Sequence, residues 1–197
     1  MRRFRSLAAS SLLLCTLSFA APVLAAPQTY EIDPVHSRVE FTIRHMFSKV
    51  TGSFGAFKGS VVYDAAAPAS SSANVEIDAS SIDTNNDQRD HHLKSPDFFD
   101  VAKYPTSTFT TTSIKAGGDK GATHTITGDL DLHGVKKSIS FPATIKIAAD
   151  AVTATAEFSI NRKDFNINYN RVIEAGGVVV GDEVKINIEI EAIEKKG

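Results

Sequence analysis

The sequence is poor in cysteine, in tryptophan and in clusters of basic residues. Its 197 residues include one cysteine, Cys15, and no tryptophan, and the formal net charge is −2. A disulfide framework or a cysteine-based zinc site needs more than one cysteine, so one chain can form neither. Lysine and arginine form no block that could neutralise consecutive phosphates, which argues against nucleic acid as a partner.

The only long apolar run stands at the N terminus and has the pattern of a secretory signal peptide. Three arginines among the first five residues precede an apolar run over residues 7–19, and small residues lead to Ala25. The run is short for crossing ~30 Å of hydrocarbon, which takes about 20 apolar residues. We therefore expect residues 1–25 to be removed on export to the periplasm, with no integral membrane span in the remainder.

Cleavage after Ala25 would leave 172 residues that contain 18 basic and 23 acidic side chains and no cysteine. Such a product would be mildly acidic and would have no disulfide to stabilise it. At this length one apolar core suffices to hold a domain together. We therefore predict a single domain over residues 26–197.

Most of that domain alternates apolar and polar residues with a period of two. Val39, Phe41 and Ile43 share one face of such a segment, and residues 137–147 form the most regular one. About eight segments of this kind follow one another, each with one apolar face, which is typical of an antiparallel sheet. A sheet of that size must close to protect its edges, so we predict an all-β fold with one short helix, arranged as an eight-stranded barrel.

Several residues on the predicted inner faces are small, where a filled interior would need bulk. An eight-stranded barrel can be filled by side chains or can enclose one apolar ligand. The small residues favour an internal apolar cavity; they are Gly55, Gly59, Ala143, Ala154 and Ala156.

One stretch, residues 81–109, interrupts the alternation. Thr84, Asn85 and Asn86 are each suited to cap a helix. We expect this helix to run from about Asn86 to Lys94 and to end at Ser95-Pro96. Aromatic residues follow, and Phe98 and Phe99 can bury this segment against the sheet. The helix and this pair are therefore expected to form the lid and wall of the cavity.

The side chains that could carry out a reaction are scattered. His91 and His92 are adjacent and diverge by about 100° on a helix, so they do not chelate a metal together. The chain has no HExxH, CxxC or GxSxG motif and no glycine-rich phosphate loop followed by lysine. We assign no catalytic residue, no metal and no cofactor. Arg89 and Asp90 are open to two interpretations: they simply form an exposed ion pair or a helix cap, or Arg89 contacts a polar head group at the cavity mouth.

Ordered motifs over nearly the whole domain resemble the YceI-like family of exported lipid-binding proteins. They are DPVHSRVEFTIRHM from Asp33, TGSFGAFKGSVVYD from Thr51, the stretch SIDTNNDQRDHHLKSPDFFDVAKYPTSTF, GDLDLHGVKKSISFP from Gly128, and INRKDFNI followed by VGDEVKINIEIEA. Asn166 stands where the family is expected to have glycine, and asparagine tolerates the left-handed backbone that such a turn needs.

The resemblance implies an extended lipocalin-like barrel whose interior holds a long-chain isoprenoid or a related lipid, such as an isoprenoid quinone or a fatty acyl compound. The predicted apolar lining is Val39, Phe41, Ile43, Phe57, Leu93, Phe98, Phe99, Phe109, Phe141, Ala154 and Phe158. The predicted head-group contacts are His45, Arg89 and His92. The favoured function is a periplasmic lipid carrier. The alternatives are an enzyme or antioxidant protein acting on a bound quinone or lipid and a structural stress protein, and a homodimer is left open.

Overall fold

A computed structural model describes residues 26–148, 150–170 and 179–195. The proposed signal peptide and the glycine pair Gly176-Gly177 lie outside these residues. The described chain contains one α-helix, α1 (Asp87–Leu93), and short 3-10 turns. Its strands are β1 (Gln28–Ile32), β2 (Arg38–His45), β3 (Ser48–Phe54), β4 (Phe57–Tyr63), β5 (Ser72–Asp78), β6 (Ile82–Asp83), β7 (Thr106–Ala116), β8 (His124–Leu132), β9 (Val135–Ile147), β10 (Ala151–Asn161) and β11 (Val180–Glu194).

The strands form one antiparallel sheet that closes on itself. The ring runs β1-β4-β5-β7-β8-β9-β10-β11 and is completed by pairing of β1 with β11. β2, β3 and β6 extend the sheet from β11 at one end of the ring. Because β1 and β2 both pair with β11, they act as two parts of one barrel strand, and β3 and β4 do the same. The predicted all-β, eight-stranded barrel is confirmed.

The break between β1 and β2 is a wide bulge held by a serine side chain. Ile32 pairs with Ala192 and Arg38 pairs with Glu189, so five residues on one side face two on the other. The buried Ser37 hydroxyl accepts a hydrogen bond from the amide of Glu191 at 2.9 Å and donates one to its carbonyl at 3.2 Å. The hydroxyl therefore replaces a missing backbone partner in the ladder.

A second contact shapes the same turn. Asp33 accepts hydrogen bonds from the amide of Val35 and from Nδ1 of His36, both at 2.8 Å. The hydrogen bond between the two side chains lowers the pKa of the Asp33 carboxyl, and the same hydrogen bond raises the pKa of the His36 imidazole above 6.5. The DPVHS motif is thus a local fold element.

The two ends of the barrel differ in packing. At the end near the β1–β2 turn, a buried cluster fills the interior; it comprises Tyr30, Ile32, Val39, Phe57, Val152 and Ala192. At the other end, α1 and the chain after it pack on the barrel through a separate cluster built on Phe98, Ile167 and Val180. We call these the closed end and the helix end.

Helix α1 begins where the sequence predicts it. The Asn86 side chain accepts a hydrogen bond from the amide of Arg89 at 2.9 Å, which is a standard N-terminal cap. The β8–β9 hairpin turns through His133 and Gly134, both with positive φ, as a tight two-residue hairpin favours. Nδ1 of His133 contacts the carbonyl of Phe165 at 3.1 Å, which ties this turn to the loop after β10.

Replacing Ser37 by alanine should destabilise the barrel. The change removes the hydroxyl that accepts from the amide of Glu191, at a cost of about 1–3 kcal/mol, whereas the carbonyl of Glu191 keeps its hydrogen bond from the Asp33 amide at 2.8 Å. Urea unfolding of Ser37→Ala and of a control, Ser138→Ala, measures the difference. Ser138 is exposed, so its variant should unfold with the wild-type midpoint. Equal midpoints for both variants would contradict the bridging role.

The Asp33–His36 pair should stabilise the fold only within a window of pH. Because the pKa of Asp33 is lowered in the folded protein, its contribution to stability is present above the ordinary carboxyl pKa and is lost as the pH falls below it. Because the pKa of His36 is raised, its contribution is present below the ordinary imidazole pKa and is lost as the pH rises through the pKa of the folded protein. The window therefore lies between about pH 4 and 6.5. NMR titration should show His36 titrating above 6.5, and Asp33→Asn should move it back. An unchanged titration in that variant would refute the pairing.

Candidate functional site

The barrel encloses an elongated apolar cavity of about 340 Å³. It is lined by inward-facing side chains of the barrel strands, of α1 and of the loop after β10. This volume falls in the range of small-molecule sites, which are mostly apolar with a few polar groups that orient the ligand.

The structure brings most of the predicted lining together. The predicted apolar residues that line the cavity are Val39, Phe41, Ile43, Leu93, Phe98, Phe99, Phe109, Phe141 and Phe158. The predicted polar residues His45, Arg89 and His92 line it as well. Their contact with a ligand remains a prediction.

Two predicted lining residues, Phe57 and Ala154, lie elsewhere. Phe57 belongs to the buried cluster that fills the closed end. Ala154 pairs with Ile145 and Ile190 and is absent from the cavity wall. Periodicity identifies the inner face of a strand correctly, but it does not say how far along the barrel the open space extends.

The small inward residues do not create the cavity, contrary to the sequence-based expectation. None of the five lines it. A side chain at Gly59 would meet the carbonyl of Asn74 at 2.3 Å and Ile32 at 2.8 Å, so the glycine lets the closed end pack tightly. Large side chains surround the open space instead, and small ones allow the opposite end to fill.

Aromatic rings form much of the wall. The rings of Phe141 and Phe158 stack at 4.2 Å between centroids, and Phe109 lies 5.6 Å from Phe141. A side chain at Gly128 would come within 2.4 Å of the Phe109 ring, so this glycine leaves room for the ring. Gly52 does the same for Phe41 on the opposite wall, at 2.6 Å.

The helix-end cluster belongs entirely to the cavity wall. Phe98, Ile167 and Val180 are buried there, and half-buried residues of α1, β2 and β8 pack against them. The closed end is filled by a continuous packed cluster. The cavity therefore extends to the helix end and stops at the filled closed end.

The Arg89 side chain is fixed on the inner side of α1 by a threonine. Its Nε donates to the Thr84 hydroxyl at 2.7 Å and its Nη2 donates to the Thr84 carbonyl at 2.8 Å. The Thr84 hydroxyl in turn donates to the buried carboxylate of Asp90, which also accepts from the Thr84 amide at 3.0 Å. The motif residues Arg89 and Asp90 thus share one threonine, and Arg89 is held in place at the cavity rather than in an exposed ion pair.

His92 occupies the same end. Its Nε2 lies 2.9 Å from an oxygen of Asp97, and its ring packs edge-on against Phe98 and Tyr169 at about 5 Å. The imidazole therefore closes the apolar wall with its carbon edge while its nitrogen points to an exposed carboxylate.

Arg162 is a cavity residue that the sequence-based reasoning missed. It is 3% exposed, and its guanidinium donates to the carbonyls of Gly181 at 2.7 Å and Ile167 at 2.6 Å. Burial lowers its pKa, and the charge of Asp182 at 3.3 Å opposes that shift. The alternation of the strand could have identified Arg162, because Phe158, Ile160 and Arg162 are every second residue and fall on the same side of β10 and its continuation.

Within the described ranges, no three His, Cys, Asp or Glu side chains converge as they would around a metal ion. None of the helices in the same ranges is long and apolar enough to cross a membrane.

The family of the chain follows from comparison with known proteins. A family model for the YceI-like domain matches residues 30–192. The chain belongs to the YceI-like family. It is similar to the protein YceI of Escherichia coli O6:H1, with 37% identity over 196 residues that cover 93% of this chain and 98% of the relative.

Solved structures agree with this assignment of the YceI-like fold. The crystal structure of BcnA from Burkholderia cenocepacia superposes with a TM-score of 0.72 and 27% identity, over 82% of this chain and 99% of that one. A domain from Saccharophagus degradans described as polyisoprenoid binding superposes with a TM-score of 0.65 at 18% identity, over 85% and 99% of the two chains.

The motifs that carry the YceI-like resemblance fall into two structural groups. Ser37 and the His133-Gly134 turn shape the barrel, and Asn166 takes the left-handed conformation expected of it, with φ 60°. The motif within residues 81–109 instead contributes Arg89, His92, Phe98 and Phe99 to the cavity wall. This motif therefore defines the candidate site.

Replacing Asp90 by alanine should loosen the attachment of Arg89. The buried Thr84 amide and hydroxyl would lose their acceptor, which should cost about 2–3 kcal/mol of unfolding free energy. Asp87→Ala is the matched control, because this exposed carboxylate acts only on the helix dipole, worth under about 1 kcal/mol. Urea unfolding measures both, and an Asp90 variant no less stable than the Asp87 variant would contradict the network.

Proposed function

We propose that this YceI-like protein binds and carries a long-chain lipid in the barrel interior. The observation that carries the proposal is the cavity itself, whose walls are apolar side chains over most of their length. An isoprenoid chain, an isoprenoid quinone tail or a fatty acyl chain presents the matching surface. The polyisoprenoid-binding description of the Saccharophagus degradans domain supports the isoprenoid class.

The volume of the cavity limits the length of lipid chain that it can enclose. If a methylene group takes about the volume of one water, ~30 Å³, then 340 Å³ encloses roughly a dozen such groups. Each buried methylene contributes about 0.8 kcal/mol, so a segment of this length gains ample binding free energy from apolar contact alone. A longer tail would extend toward the helix end or separate the contacts of the helix-end cluster.

The polar groups of the wall favour a defined orientation of that ligand. His45, Arg89, His92 and Arg162 all belong to the same wall as the helix-end cluster, and the closed end is apolar. The two nitrogens Nε and Nη2 of Arg89 are bound to Thr84, and Nη1 has no hydrogen-bond partner within the described part of the chain. We propose that Nη1 contacts the head group while the tail points to the closed end.

We also propose that the protein works in the periplasm as a carrier without turnover. The signal-peptide pattern of residues 1–25 supports the compartment. The buried Arg162 and the half-buried His92 already engage protein partners at 2.6–2.9 Å. Such groups shape a site more readily than they exchange protons with a ligand.

Filling the cavity should abolish lipid uptake without unfolding the barrel. Ile188 lines the cavity, so Ile188→Trp places an indole in the space that the tail would occupy. Thr155→Trp adds the same ring to the exposed face of β10 and serves as the matched control. Native mass spectrometry of protein purified from its own periplasm should show a bound lipid of defined mass in wild type and control and none in Ile188→Trp.

Circular dichroism and thermal unfolding must show that Ile188→Trp remains folded, because overpacking costs about 1–3 kcal/mol. Wild-type protein that emerges empty and takes up neither prenyl nor acyl probes would refute the carrier function. Equal lipid content in all three proteins would show that the ligand lies outside this cavity.

A further inference from the structure

The tip of the β2–β3 hairpin presents two apolar side chains to solvent. The strands end at His45 and resume at Ser48, so Met46 and Phe47 form the whole loop. Phe47 is 86% exposed and Met46 is 37% exposed. A single exposed leucine or valine is ordinary on a protein surface, but a phenylalanine with nearly all of its ring in water at a hairpin tip gains nothing from folding.

The loop also departs from the usual chemistry of tight turns. Met46 has φ 51°, a left-handed conformation that two-residue hairpins normally assign to glycine or asparagine. Hydrogen bonds hold it there: its amide donates to the carbonyl of Val179 at 2.8 Å, and Nε of Arg44 donates to its carbonyl at 3.2 Å. The tip is therefore a fixed apolar projection whose local strain is not offset by burial of Phe47.

Positive charge flanks this projection. Arg44 and Lys49 are paired across the two strands directly behind the tip, and both are exposed. The sequence has no acidic residue between Glu40 and Asp64. The adjoining part of β11 carries two carboxylates. Asp182 is ion-paired with Lys163 at 2.8 Å and with Arg162, and Glu183 accepts a hydrogen bond from the Ser159 hydroxyl at 3.3 Å. The sequence is mildly acidic overall, with a formal net charge of −2, whereas Arg44 and Lys49 place two cations directly behind the apolar tip.

The tip adjoins the helix end of the barrel, to which the cavity extends. His45 and Val50, on the two strands of the hairpin, line the cavity, and so do Val179 and Val180, to which the tip and β2 are hydrogen-bonded. A surface that contacts Phe47 therefore lies close to the helix-end wall of the cavity.

We propose that the β2–β3 tip docks the protein on the surface of an anionic phospholipid bilayer. Phe47 and Met46 enter the boundary between head groups and acyl chains, where aromatic side chains are favoured, and Arg44 and Lys49 face the anionic head groups. Docking in this way brings the helix end of the barrel to the bilayer. The purpose of docking, transfer of a lipid between bilayer and cavity, rests on the proposed function, but binding to the bilayer does not.

The opposite end of β2 provides an internal control. Val35, in the β1–β2 turn, is 83% exposed, which is similar to Phe47. It stands next to the carboxylate of Asp33 instead of a pair of cations. β2 has eight residues and spans about 25 Å, so the two sites cannot rest on one flat membrane together when the strand stands upright on it.

Because the chain has no tryptophan, one introduced indole reports its own surroundings. Phe47→Trp and Val35→Trp are mixed separately with vesicles of phosphatidylethanolamine and phosphatidylglycerol at 3:1 and with vesicles of phosphatidylcholine alone. We expect the emission of Phe47→Trp to shift to the blue with the anionic vesicles and to be quenched by brominated acyl chains. Val35→Trp should show neither effect.

Vesicle flotation then measures the separate contributions. Phe47→Ser should weaken binding to the anionic vesicles about tenfold, and Val35→Ser should leave it unchanged. Lys49→Glu should weaken it by roughly fivefold or more, since each cation near an anionic surface contributes about that factor. Lys146→Glu makes the same change of net charge on an exposed residue near the closed end, and it should have a much smaller effect. Binding should fall as salt is raised.

Emission of Phe47→Trp that is unchanged by anionic vesicles would overturn the proposal. A blue shift that appears without vesicles and grows with protein concentration would also overturn it, because it would identify a second copy of the chain as the occupant. Vesicle binding by a protein that takes up no lipid would refute the carrier function and leave the docking surface standing. Lipid uptake by a protein that binds no vesicles would refute the docking surface and leave the carrier function standing.

Discussion

Strand β11 is the element on which the closure of the barrel depends. It pairs with β10 from Glu183 to Ile193, and its other edge is shared between β2 and β1. An unpaired edge of that length would leave a row of backbone donors and acceptors without partners and would invite pairing with other chains. The bulge at Ser37 lets two shorter strands cover one long strand, because the Ser37 hydroxyl bonds to the amide and the carbonyl of Glu191 within the gap between them.

The division of the interior follows from this closure. Near the junction of β1 and β11, Gly59 lets the walls approach and the core fill. Toward the other end, the segment 81–109 replaces a barrel strand with a helix and a loop, and phenylalanine rings line a space that they do not fill. The apolar wall and its polar end therefore have one structural origin, the change from strand pairing to helix packing along the barrel axis.

Much of the candidate site could be predicted from the sequence, for identifiable reasons. Alternation assigned Phe41, Phe141 and Phe158 to the inner face, and the break in alternation located the helix that carries Arg89. Ala154 and Phe57 were assigned to the wall wrongly, because a period of two carries no information on depth along the barrel. Arg162 was missed because it follows β10 in a loop, and its burial depends on carbonyls from Gly181 and Ile167 that are near it only in the folded chain.

The order of residues along the chain was enough to predict the class of fold, the inward face of each strand, the capped helix and the family. These depend on side-chain periodicity and short-range backbone preferences, which each segment carries within itself. Which end of the barrel is filled, what holds Arg89, and the proximity of the Phe47 tip to the polar end of the cavity were decided only by the tertiary structure. These features arise from pairing between residues as distant as Ser37 and Glu191, and the free energy of such contacts exists only once the sheet has closed.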